Sequence, residues 1–142
     1  MTTPSVATPS LAQSLVHANL SDVFSEPDAG LRLAAAKRLF HSDAKFYEPD
    51  GMLDVPEGYI TGPEGIANQA GKLVDERPGW KFVPAGIIKK TANMVHAPWS
   101  WGPVGQDGKV EVNATGLDVF LVRGDKIESF WVVIDGVSDV VV

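Results

Sequence analysis

The sequence predicts an α+β fold, with helices early in the chain and an antiparallel sheet late. Three observations carry this reading. Two amphipathic helical patterns open the chain, a third follows one short strand, and the second half consists of four strand-like runs separated by turn signals. Helices and strands that are segregated in this way argue for an antiparallel sheet, not a doubly wound parallel one. No internal repeat is present.

Residues 1 to about 9 are rich in Thr, Pro and Ser and are expected to form a flexible tail, leaving 10–142 as a single domain. Leu11, Leu15, Ala18 and Phe24 lie near one helical stripe, and Ser10 is placed to cap it. Pro27, Asp28, Ala29 and Gly30 break the chain. Leu31, Ala34, Ala35, Leu39 and Phe40 then form a second stripe, with Lys37 and Arg38 outside it. A short strand is expected over 44–48, followed by a turn-rich stretch over 49–58. Pro63 suits the first turn of a third helix, which carries Ile66, Ala70, Leu73 and Val74 and stops before Pro78 and Gly79. Strands are expected over 80–88, 92–101, 109–123 and 126–135. Gln106-Asp107-Gly108 and Arg123-Gly124-Asp125-Lys126 read as hairpin turns.

Bulk composition removes several functions. The net charge is −6 and the 12 basic residues are scattered, which argues against nucleic acid as the main partner, since that would need a basic face. No apolar run approaches the roughly 20 residues of a membrane-spanning helix, and the first ten residues lack the features of a secretory leader. Cysteine is absent, which excludes disulfides and thiolate chemistry. A cytoplasmic location is the expectation.

One carboxylate stands out. In the strand over 109–123, Val110, Val112, Ala114, Gly116, Asp118, Phe120 and Val122 share a face. Asp118 therefore sits among apolar or small groups, where a lone ionised carboxylate is strongly unfavourable. It must have a partner, hold a proton, or line a cavity. A three-residue loop at 106–108 would set His96 opposite Asp118, Met94 opposite Phe120, Pro98 opposite Gly116 and Ser100 opposite Ala114, with Trp99 and Trp101 on the other face. A slip of one residue breaks that pairing, and Gly102, Pro103 and Gly105 are suited to a bulge. In this register Asp118 is a candidate general acid or base with His96 as its partner. The plainer reading is a structural aspartate bonded to a backbone amide or to a hydroxyl such as that of Tyr47. Tyr47 and Glu48 end the first strand, and Tyr47 could donate to a ligand oxygen or simply pack. The tryptophans, Trp99 and Trp131 among them, read first as core or interface residues and second, with Phe120, as the wall of a flat ligand's site. Trp131 is the best wall candidate of the four, because its strand adjoins that of Asp118.

Missing signals narrow the chemistry. His17, His41 and His96 are far apart, so no metal constellation is readable. No Gly-rich phosphate loop follows a strand, and no nucleophile elbow is present. Cofactor-free proton transfer remains.

The segments 39–50, 60–66, 78–82, 116–122 and 125–131 resemble the SnoaL-like group of the nuclear transport factor 2-like superfamily. The likeness covers residues 10–135. It implies a cone-shaped curved sheet packed on three helices in the N-terminal half, with a pocket for a small apolar ligand and a homodimer through the sheet. It also implies that Asp118 stands where related cyclases keep an acid/base. The function expected is an isomerase, cyclase or dehydratase acting on a small oxygenated molecule such as a polyketide or terpenoid intermediate. The alternatives are a non-catalytic binding module and a dimeric assembly protein.

Overall fold

The computed structural model describes residues 6–141. Helix α1 (Pro9–Ala18) runs into one π-helical turn (Asn19–Val23), then come α2 (Ala29–Leu39), β1 (Phe40–Tyr47), β2 (Ile60–Thr61), α3 (Gly62–Glu76), β3 (Trp80–Pro84), β4 (Lys89–Thr91), β5 (Met94–Pro103), β6 (Ala114–Arg123) and β7 (Lys126–Ile134). The seven strands form one sheet in the order β2-β1-β7-β6-β5-β3, with β4 beside β5. Every pairing is antiparallel except β1 with β7. The sheet curves around the three helices, as the α+β prediction requires. No helix of the described residues is long and apolar enough to cross a membrane.

The core lies between the helices and the concave face. Val16, Val23, Ala36, Ile66 and Ala70 from the helices meet Phe46, Phe120, Ile127 and Phe130 from the strands, all of them buried. Phe130 is the hub, with ring centroids 4.8 Å from Phe46, 5.0 Å from Phe120 and 5.7 Å from Phe24. Arg32 ties the helices together. Its Nε–H donates to the Ala67 carbonyl at 3.2 Å and Nη1–H to the Glu26 carbonyl at 2.6 Å.

The chain docks before residue 10. Ala7 is buried and donates its N–H to Asn93 Oδ1 at 2.8 Å. Thr8, not Ser10, caps α1 by accepting the Leu11 N–H, with Pro9 in the first turn. Of the tail expected over residues 1–9, residues 1–5 lie outside the described residues. The strand expected over 80–88 is shorter: β3 ends at Pro84, one further bond runs from Ala85 N–H to the Pro98 carbonyl at 3.0 Å, and Pro98 has no N–H to return.

One irregularity decides the site. The three-residue loop is present, closed by Gly105 N–H to Lys109 O at 2.8 Å, with Val104 bridged to Val110 and Glu111 N–H bonded to Pro103 O. At the root of the hairpin, however, Trp101 pairs with Ala114. Two residues advance on β5 while three advance on the other strand, so a bulge at Val112 and Asn113 absorbs one residue. Gly102 faces this bulge, where a Cβ would collide with the Glu111 carbonyl. Asp118 consequently pairs with Ala97, and His96 with Val119.

Candidate active site

The concave face and the helices enclose a cavity of about 480 Å³. Phe24, Phe82, Trp99, Trp101, Phe130 and Ile134 form its apolar wall, and Asp118 is a buried member of its lining. Asp118 is 3% exposed. Burial drives its carboxyl pKa up to about 8, against the opposing pull of hydrogen bonding from Trp99 and Asn19. Near neutral pH, therefore, most of the Asp118 population carries a proton.

Local sequence explains the geometry. Trp99 Nε1–H donates to Asp118 Oδ1 at 2.9 Å. Trp99 pairs directly with Gly116, two residues before Asp118. A Cβ on Gly116 would sit 2.6 Å from the Trp99 ring and collide with the Val133 carbonyl. Glycine thus lets the indole lie across β6 and reach the carboxyl diagonally. Phe82 fixes the ring from the other side, edge-on at 5.0 Å. Opposite them, the π-helical turn begins at Asn19, which is 0% exposed and faces Asp118. Neither amide atom of Asn19 completes a hydrogen bond of good geometry.

The lining also has a polar group: Glu48, Asp54, Gln69, Lys72 and Glu76. Gln69, Lys72, Leu73 and Glu76 lie at the i, i+3, i+4, i+7 spacing of one face of α3. Burial raises the Glu48 pKa, opposed by a hydrogen bond from Gln69 at 3.4 Å and by the charge of Lys72. Among the described residues, no group of three or more His, Cys, Asp or Glu side chains could hold a metal ion.

No protein-family model matches the sequence, and no curated protein matches it. Solved structures do match in fold. A proposed isomerase of the SnoaL-like family from Agrobacterium tumefaciens superposes with a TM-score of 0.74 at 20% identity, covering 89% of this chain and 99% of that one. IdmH, a proposed polyketide cyclase from Streptomyces antibioticus, gives 0.66 at 18% identity over 89% and 94%. TerC, crystallised with polyporic acid, gives 0.64 at 16% identity over 90% and 94%. The chain has the SnoaL-like fold.

In this SnoaL-like sheet the bulge sorts the residues singled out from sequence. Asp118, Trp99 and Phe120 are on the concave face; Asp118 and Trp99 line the cavity, and Phe120 packs behind them against Phe130. His96 does not meet Asp118. The one-residue shift turns its ring to the convex face, where its strand neighbours are Lys89 and Val119. Trp99 and Trp101, expected on that face, occupy the concave one instead. Tyr47 and Trp131 are also convex. They are register partners whose rings stack at 5.4 Å, and it is Phe130 and Val132 of β7 that face the cavity. Sequence reading missed Asn19, although it falls four residues after Leu15 and three after Val16, on the buried side of the helix. It also missed the polar face of α3.

Proposed function

We propose that this protein is a cofactor-free acid–base enzyme, of isomerase, cyclase or dehydratase type, acting on a small, largely apolar oxygenated molecule. One observation carries the reading: a buried, largely protonated Asp118 in the lining of an aromatic-walled cavity. The protonated carboxyl can donate to a carbonyl or departing hydroxyl oxygen. The carboxylate left behind can then remove a proton from an adjacent carbon, so one group serves in both directions. Trp99 holds Oδ1 by a bond that strengthens when the group is ionised. The cavity volume suits a ring-containing ligand, and the wall offers flat surfaces for it to stack on. The ligand recorded with TerC is compatible with this class.

The test is Asp118→Asn, assayed against a panel of polyketide- and terpenoid-type enones and β-hydroxyketones. Turnover falls by about 10²–10⁴-fold while the fold persists. Turnover like that of wild type would remove Asp118 from the chemistry. Binding that survives the substitution, with no product from either protein, would favour a carrier or sensor.

The convex face supports a homodimer. Met94 and Leu121 are register partners there and stay 41% and 37% exposed, next to the Tyr47–Trp131 stack. Sedimentation of wild type against Leu121→Lys tests this, with dissociation expected in the variant.

A further inference from the structure

Asn19 is a fully buried amide that approaches the Asp118 carboxyl without either polar atom completing a hydrogen bond of good geometry, at a place where an apolar side chain would pack at no such cost. It also opens the π-helical turn, a local distortion that recurs at functional sites. The group it faces is Asp118. We infer that Asn19 is a positioning residue whose amide follows the proton on Asp118, accepting from the acid until a ligand oxygen takes that proton's bond, and donating to the carboxylate. The inference rests on the acid–base reading for its purpose.

Donor inventory leads to this role. An indole nitrogen can only donate, so Asp118 Oδ1 is an acceptor in both protonation states. A carbonyl oxygen accepts better than a carboxylic hydroxyl, so this bond favours the proton on Oδ2. A partner for Oδ2 has to accept while the proton is present and donate once it has left. Serine or asparagine can do both, whereas lysine, arginine and tryptophan cannot. Asn19 has one atom of each kind, and its terminal torsion is soft enough to exchange them. No ionisable group competes for this place. The concave faces of β5, β6 and β7 present Val95, Ala97, Trp99, Trp101, Phe120, Phe130 and Val132 around Asp118, and the remaining titratable groups of the cavity are Glu48, Asp54, Lys72 and Glu76.

The test uses NMR and no substrate. The Trp99 indole N–H resonance, assigned through Trp99→Phe, reports the ionisation of Asp118 from about pH 5 to about pH 10. In the wild-type protein the Asn19 side-chain amide resonances titrate with the same midpoint. In Asn19→Leu the indole midpoint moves up by roughly half to one pH unit, because the lost bond favoured the charged form more strongly. In Asn19→Asp, two facing carboxyls share a site and the indole reports two steps, one below and one above the wild-type midpoint. Asn19 amide resonances that do not titrate with Asp118 would overturn the inference, and so would an unchanged midpoint in folded Asn19→Leu. Should the leucine variant not fold, the wild-type amide titration decides alone. A protein that turns over no substrate would defeat the enzymatic reading and leave all these titrations as they are.

Discussion

Phe130 and Trp131 are adjacent in sequence and lie on opposite sides of one strand. Phe130 touches Phe24, Phe40, Phe46 and Phe120 in the core and also lines the cavity. Trp131 stacks on Tyr47 at 6° between ring planes and remains partly open to solvent. The concave face keeps a carboxyl out of water, and by doing so keeps it protonated near neutral pH. The convex face sets Tyr47, Trp131, Met94 and Leu121 among polar neighbours such as His96 and Ser129. Residue type alone does not separate the two, since a tryptophan looks equally fit to line a pocket or a surface. Position along the strand separates them, and a single inserted residue fixes position across the sheet.

The comparison can be broken at its strongest point first. Phe130→Ala should cost about 3–5 kcal/mol by emptying the aromatic hub, measured by urea denaturation. Asp118→Asn should act in the opposite sense on stability. The folded protein binds a proton on Asp118 that the unfolded chain releases above the ordinary value of 3.8, and keeps it until about 8. The resulting stabilisation is complete below the lower value, declines as pH rises between the two, and is gone above the upper one. The asparagine variant should therefore show a flatter stability–pH curve and exceed wild type at the alkaline end. A parallel decline in both proteins would place the titrating group elsewhere.

On the other face the effects shrink. Trp131→Ala should cost about 1–2 kcal/mol in the monomer, seen as a lower denaturation midpoint, with turnover per folded molecule retained. His96→Ala should stay within about 0.5 kcal/mol and leave the pH–rate profile unmoved. A shifted profile in that variant would mean that the imidazole reaches Asp118 after all.

Much of the fold was legible because periodicity is local. The stripe of α3 and the alternation along β6 each lie within one segment, and so does the placement of Asp118 among apolar neighbours, whereas the stripe expected on α2 is displaced: Leu31 is 61% exposed, and Arg32 and Ala36 are buried in its place. Its partner was not legible in the same way. Trp99 rather than His96 meets the carboxyl because the bulge at Val112 and Asn113 lies well over ten residues from His96 along the chain. Gly102 and Gly116 were the visible traces, one facing the bulge and the other lying beneath the indole. Asn19 escaped notice because a polar residue on a helix reads as solvent-facing until its spacing from Leu15 and Val16 is counted.

The bulge also separates two jobs within one hairpin. Beyond it, residues 104–113 are mostly exposed and pair only through the Val104–Val110 bridge and a few turn hydrogen bonds. Below it, the position of β6 is held independently by β7 through the tight Gly124–Asp125 reversal. The tip is thus mechanically insulated from the carboxyl. A reporter peptide or a new pair of termini spliced between Gln106 and Asp107 would hang from the molecule without disturbing the strand that carries Asp118, which gives engineers a handle close to the cavity.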